Sequence, residues 1–350
     1  MIRLSAAIMA IALLATGTLA RSAATSSIVL RNAEDLAPLP GGRWVIASSM
    51  AGGPARSGAL YAIDARTGRA TKLYPDPSNP RTYETPGCGR EVPAGTFAPH
   101  GIAFRPEAGS YGTLYVVNHG GRESIEIFSL RPGATAALPP RLRWDDCTQA
   151  PKGQLQNAVA PTRDGTLYIT LTPMPDLNGD LEDHAEHAIG AVWSWHPARG
   201  WRLVAGSEMA GPNGIIATAD GRRLYVNAWP SGEIVELSLG ADGATRRTLR
   251  PGFLPDNLRW NGDGTILVAG HLGSVADVVR CYASSQGECV IPSVIAAIDP
   301  ASFTVRCARP AGLSLATVAA PVGRELWIGT ARGNRILRTP AASLLGPRCR

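Results

Sequence analysis

Six copies of one turn-and-strand unit run through this chain of 350 residues, and no other feature limits its fold so tightly. The unit is plainest at residues 254–271. There the polar pair Asp256-Asn257 opens an apolar half-strand, Asn261-Gly262-Asp263-Gly264 makes a turn, and a second strand over 265–269 leads to His271. Asn-Gly and Asp-Gly between apolar runs signal a tight hairpin, because these residue types tolerate positive φ. The second strand recurs at 42–46, 112–117, 165–169, 221–226, 264–268 and 323–328. A third strand follows each copy, at 59–64, 124–130, 191–196, 233–239, 293–299 and 335–338. Copies about 40 to 70 residues apart match a propeller blade or a kelch unit. A β-sandwich seldom repeats one unit six times, and the rungs of a β-helix are shorter. No amphipathic helix longer than about ten residues is expected beyond the N-terminal segment. The pattern therefore predicts an all-β chain, a six-bladed β-propeller filling 21–350 as one domain. Its blades open near 34, 100, 157, 213, 256 and 316. Closing the ring calls on residues 27–30 or on the C-terminal segment as the last strand, since an open ring leaves sheet edges unpaired.

The segment before residue 21 is not expected to join the fold. A short basic start, an apolar run too short to span a bilayer and the small residues Thr18-Leu19-Ala20 form a signal peptide over 1–20. The mature protein is thus expected to be secreted or periplasmic, with no transmembrane segment. Six cysteines suit an oxidising compartment, and the absence of a C-x-x-C pair favours disulfides over zinc. Cys281 and Cys289 flank a short polar stretch and are the expected local pair; the other pairings stay open. The net charge of +6 is scattered, with no basic cluster interleaved with aromatics, which argues against nucleic acid as a partner.

Aligning the first strand of every copy on its second strand yields candidate functional residues. First strands line the channel of a propeller, and five of them carry Glu34, His100, Asn157, Asn213 or Asp256 at one register position. One such residue is ordinarily a strand-end cap; five in one ring are more than a fold requires. Two carboxylates with amide carbonyls make a hard, all-oxygen, negative set, which suits Ca²⁺ better than zinc or Mg²⁺. The ends of the second strands fall on the same face and bring Asn118-His119, Asn227 and His271 beside the ring. His100 and His119, from the two ends of one hairpin, are expected to be neighbours, and a neutral imidazole there can act as a general base. The acidic run 176–182 begins like a calcium loop. Its glycine, Gly179, is misplaced and His187 stands where a carboxylate is needed, so it fails the EF-hand rule. The stretch 172–189, with His184 and His187, leaves the same face and is a candidate lid.

Several short motifs, in order along almost the whole mature chain, now carry a resemblance. They are Glu34-Asp35-Leu36, Pro99-His100-Gly101-Ile102, Val116-Val117-Asn118-His119 with Ser124-Ile125-Glu126-Ile127-Phe128, Asn213-Gly214-Ile215, Asp256-Asn257-Leu258, His271 and Leu326-Trp327-Ile328-Gly329-Thr330. The chain resembles the paraoxonase/arylesterase branch of the six-bladed calcium propellers, related to the senescence marker protein/gluconolactonase family. The resemblance implies a catalytic Ca²⁺ held at Glu34, Asn157, Asn213, Asp256 and Asn257, with His100 as base assisted by His119. It implies a substrate pocket at His271, with Asn227 placed there by the strand-end reading. A second, structural Ca²⁺ would use Asp35 and the residue after Asn157, where this chain has Ala158 instead of a carboxylate. The family disulfide between the N-terminal segment and the C-terminus is lost, since Cys349 has no cysteine near residue 30. The expected activity is a secreted, calcium-dependent hydrolase of lactones, aryl esters or both, acting on a small molecule as a monomer. The alternatives are a sugar-lactone hydrolase of the gluconolactonase type and a non-catalytic, calcium-stabilised ligand-binding propeller.

Overall fold

The computed structural model describes residues 25–51, 57–76, 84–109, 111–174, 189–241, 243–283, 290–346 and 349. Six four-stranded antiparallel sheets stand around a central channel as the blades of a β-propeller. The inner strands are Ala33–Pro38, Pro99–Pro106, Gln154–Pro161, Pro212–Ala217, Leu254–Trp260 and Ala316–Val322, and they define blades 1 to 6. The third strands Ala59–Asp64, Ala191–His196 and Ser293–Asp299 coincide with the expected spans. The other third strands end one to two residues later.

Of the two closures the sequence leaves open, the N-terminal one is used. Ser26–Val29 pairs antiparallel with Arg335–Pro340 as the outer strand of blade 6, in the register Ser27↔Leu337. The C-terminal segment turns instead into a short helix (Ala341–Leu345), and Cys349 is bonded to Cys307 on the outer strand of blade 5. A second disulfide joins Cys88 to Cys147 on the outer strand of blade 2. The Cys281–Cys289 pairing, the signal peptide 1–20 and the acidic run with His184 and His187 lie outside the described residues, as does most of the lid candidate.

The inner strands are buried on both sides, so hydrophobic clusters fill the wedge between each pair of neighbouring blades. The wedge of blades 1 and 2 holds Ile46, Leu60, Phe97, Leu114, Phe128 and Trp144. Reducing a buried aromatic of this kind to alanine costs roughly 3–5 kcal/mol.

One irregularity is shared by all six blades. Every inner hairpin shifts register near its start, between Ala33/Asp35, Pro99/Ile102, Gln156/Val159, Pro212/Ile215, Pro255/Leu258 and Ala316/Val318. A bulge leaves its extra residue unpaired and re-aims the side chain. In five blades the bulge carries a candidate ring residue, and in blade 6 it carries Thr317. Two glycines next to the ring permit the close approach: a Cβ on Gly101 would lie 2.5 Å from Asn157 O, and one on Gly214 would lie 2.4 Å from Asp256 O.

Candidate active site

The bulges converge on the upper mouth of the channel, where Glu34, Asn157, Asn213 and Asp256 line one cavity with His100, His119 and His271. Glu34 is 1% exposed and Asp256 5%. Glu34 Oε1 accepts from Asn257 Nδ2 at 2.6 Å, and the Asn213 amide donates to the Asp256 carboxylate. Glu34 Oε2, Asn157 Oδ1 and Asn213 Oδ1 are buried with no hydrogen-bond partner. Each such orphan costs about 1–3 kcal/mol. Burial first, then the charges of Asp35 and Asp256, push the Glu34 carboxyl well up; burial and Asp35 do the same to Asp256. A buried ring that repels its own charge and leaves hard oxygens unpaired fits a hard cation such as Ca²⁺. Among the described residues no group of three or more His, Cys, Asp or Glu side chains is placed to hold a metal ion. The oxygens gathered here come largely from amides.

The backbone beneath the ring is braced from neighbouring blades. Thr317 Oγ1 donates to Glu34 O at 2.6 Å, Thr170 Oγ1 to Asn213 O at 2.7 Å, and Asn227 Nδ2 to Asp256 O at 2.6 Å. Asn227 is thereby wholly buried behind the cavity wall, a strut of the ring rather than part of the pocket surface. Asn257 likewise stands behind the wall, holding Glu34.

Beside the ring, His100 Nδ1 and His119 Nε2 lie 2.9 Å apart, and His100 Nε2 is 3.7 Å from Glu34 Oε1. Burial, and then His119, push His100 down to about 3, so its ring is neutral near pH 7. Across the mouth, His271 Nδ1 accepts from Trp229 Nε1 at 3.1 Å, which leaves Nε2 to carry the hydrogen, 3.5 Å from Asp256 Oδ2. Burial takes His271 down to about 4, against a smaller upward pull from Ala316.

The cavity above measures about 450 Å³. Part of its wall is a helix that the turn-and-strand pattern does not predict, α1 (Val275–Ala283). Ser274 caps it: Asp277 N donates to Ser274 Oγ at 3.1 Å, and Asp277 Oδ2 accepts from Ser274 N at 3.0 Å. That Ser-x-x-Asp box was present in the sequence as a helix-start signal. Val275, Val279 and Tyr282 follow one helical stripe and face the cavity with Leu155, Pro212 and Trp229. Gln156 was also missed. It precedes Asn157, lines the cavity and buries both amide atoms without partners.

The SMP-30/Gluconolactonase/LRE-like pattern matches residues 53–291, more than half of the chain. The protein belongs to this family. No curated protein sequence matches the chain. A gluconolactonase from Xanthomonas campestris superposes with a TM-score of 0.54 at 16% identity, covering 89% of this chain and 88% of its own. A calcium-binding protein, regucalcin from Agrobacterium tumefaciens, gives 0.52 at 12%, covering 90% of each. A PQQ-bound aldose sugar dehydrogenase from Streptomyces coelicolor gives 0.51 at 17%, covering 90% and 98%. At such identities these structures share the fold with this chain, and the same propeller carries different chemistries.

In this SMP-30/gluconolactonase-like chain Asp35 has a different surrounding from the ring. It is turned away from the upper mouth, and both its oxygens are occupied. Oδ1 accepts from Leu36 N at 2.8 Å and from Arg259 Nη2, while Oδ2 accepts from Ile102 N at 2.8 Å. Arg259 also donates to the carbonyls of Leu36, Leu258 and Ile102, at 3.2, 2.7 and 3.2 Å. A guanidinium thus occupies the carboxylate and carbonyl set at which the resemblance would place a second cation, and Ala158 brings no further carboxylate, as the sequence already indicated. These residues do not fit a second Ca²⁺.

Proposed function

We propose that this chain is an exported, calcium-dependent lactone hydrolase that also accepts aryl esters, nearest in chemistry to the paraoxonase/arylesterase branch of its family. The observation that carries this reading is the set of unpartnered buried oxygens, Glu34 Oε2, Asn157 Oδ1 and Asn213 Oδ1, in one cavity with His100, a neutral imidazole 2.9 Å from His119. Glu34, Asn157, Asn213 and Asp256 would hold the ion, with Asn257 fixing Glu34. Bound there, Ca²⁺ supplies polarisation of the substrate carbonyl and charge compensation for the developing oxyanion. His100 Nε2 takes a proton from water as the water oxygen bonds to the carbonyl carbon. The same nitrogen returns that proton to the leaving alkoxide when the carbon–oxygen bond of the ester breaks. A lactone then leaves as one hydroxy acid. His271, neutral and tied to Trp229, orients Asp256 and lines the substrate side. The disulfides Cys88–Cys147 and Cys307–Cys349 support an oxidising destination, and among the described residues no helix is long and apolar enough to cross a membrane.

Family membership favours a sugar lactone as the second reading. The wall of Leu155, Trp229, Val275 and Val279 suits an acyl or aryl group, while the unpartnered Gln156 amide in the same cavity is the group a polyhydroxylated ring would use. The deciding experiment is hydrolysis of phenyl acetate, an alkyl γ-lactone, an alkyl δ-lactone and gluconolactone, each with Ca²⁺ and with chelator. Turnover of the alkyl lactones that vanishes in chelator and returns with Ca²⁺ supports the reading. A preference for gluconolactone selects the second. No turnover in a sample that binds Ca²⁺ leaves a non-catalytic, ligand-binding propeller.

A further inference from the structure

The His100–His119 pair continues into a third group, Glu123. Residues 119–123 form the loop between the strands Gly112–Asn118 and Ser124–Arg131, whose ends Asn118 and Ser124 pair directly. The hairpin therefore sets the first loop residue against the last, and both carboxylate oxygens of Glu123 lie 3.0 Å from His119 Nδ1. The loop is held firmly. Asn118 Nδ2 donates to Gly120 O and Arg122 O at 2.9 Å, and Asn118 Oδ1 accepts from Ala98 N at 3.0 Å. Arg122 makes a two-pronged pair with the buried Glu126, 2.9 Å at each contact. Trp144 Nε1 and Ser124 Oγ donate to the same carboxylate at 2.6 Å. Arg122, the chain neighbour of Glu123, is thus paired with Glu126, and Glu123 faces His119.

Hydrogen-bond chemistry now sets each proton in turn. A carboxylate only accepts, so His119 Nδ1 carries hydrogen, and a neutral imidazole then has its lone pair on Nε2. That nitrogen faces His100 Nδ1 at 2.9 Å, so the hydrogen of this contact belongs to His100. The lone pair of His100 is left on Nε2, the atom turned toward the ring. We propose that Glu123 is the positioning residue of the pair: its carboxylate selects the tautomers of both imidazoles and keeps His100 Nε2 as a proton acceptor above the ring. Without it, His119 is free to carry hydrogen on Nε2, and His100 would then keep its lone pair on Nδ1, away from the ring. The consequence for turnover rests on the hydrolase reading, whereas the tautomers do not.

The test is long-range proton–nitrogen NMR of ¹⁵N-histidine-labelled protein, alone and as Glu123→Leu and Glu123→Asp, with His119→Gln for assignment. The wild type is expected to show His119 and His100 both as Nδ1–H tautomers; Glu123→Leu shifts His119 toward Nε2–H, and Glu123→Asp restores the wild-type pattern. On a lactone, Glu123→Leu lowers kcat about 10- to 100-fold with KM unchanged, the usual range for a group that orients a catalytic one, and Glu123→Asp recovers part. An Nε2–H tautomer at His119 in the wild type overturns the assignment, and this spectrum decides even where Glu123→Leu does not fold. An unchanged His119 in a folded Glu123→Leu also overturns it. A wild type that cleaves no ester or lactone yet carries these tautomers removes the hydrolase reading and leaves the role of Glu123 standing.

Discussion

Glu34 and Asp35 are consecutive, both are 1% exposed, and they meet opposite surroundings. Glu34 points to the upper mouth, where one of its oxygens has no partner and burial pushes its carboxyl well up. Asp35 points along the channel toward the lower mouth, where Arg259 and two backbone amides occupy it. Arg259 itself forms part of a smaller cavity of about 240 Å³ at that end, lined otherwise by apolar residues such as Phe104, Ile216 and Trp260. Burying a carboxylate requires a counter-charge. At the lower end the chain carries its own as a guanidinium; at the upper end Glu34 Oε2 has no partner, and the proposed function would supply the counter-charge as a cation from solution.

The largest effect is expected at Arg259, the partner of Asp35. Arg259→Met leaves Asp35 buried and unpaired and is expected to cost about 3–5 kcal/mol of stability, read as a shift in the urea midpoint. The double variant Arg259→Met/Asp35→Asn should regain much of that loss. A single variant as stable as the wild type would mean that Asp35 is not held by Arg259.

At the upper end the loss should fall on function. Asp256→Asn, or chelation of the wild type, is expected to lower lactone hydrolysis by about 10²–10³-fold, the scale of one missing electrostatic group at a reacting carbonyl. Calorimetric titration with Ca²⁺ should show binding in the wild type and none in Asp256→Asn. Equal activity in chelator would show that the upper end needs no cation. The apolar wall should matter less. Val279→Ala is expected to change kcat/KM for an alkyl lactone by about tenfold and to leave a short aryl ester nearly unaffected.

The smallest effect concerns pH. In cation-free protein the Glu34 and Asp256 carboxyls bind protons more tightly folded than unfolded, since burial first and then the charge of Asp35 raise both. Their folded-state values lie above the unfolded ones, so stability is greatest below the ordinary carboxylate range and falls as pH rises through the raised values. Cation-free Asp256→Asn should therefore melt a few degrees above cation-free wild type at pH 8 and no higher near pH 4. Ca²⁺ should reverse the order at pH 8. A constant difference across this range would argue that the ring carboxyls are not raised.

Much of this was legible beforehand because propeller blades are local. Turn residues and strand period repeat within each copy, so the third strands at 59–64, 191–196 and 293–299 were found to the residue. The register that located the strands also located Glu34, His100, Asn157, Asn213 and Asp256 in one ring, because a hairpin ties the start of one strand to the end of the next. Glu123 was missed although it lies only four residues from His119; the strand boundaries already implied a loop that folds one onto the other. Helix α1 was missed because nine residues are too few for periodicity to stand out, although its capping box was written in Ser274 and Asp277.

By itself the sequence determined the blade count, the strand order and the set of polar residues facing the upper channel, since each follows from spacing within a repeat. Only the tertiary structure decided what those residues meet. The five bulges that carry the ring residues, the helix that walls the cavity and the pairing of Asp35 with Arg259, 224 positions away, depend on blades brought together by ring closure. Adjacent carboxylates such as Glu34 and Asp35 look alike in a sequence. Their surroundings come from distant strands, and burial makes those surroundings decide the charge each one carries.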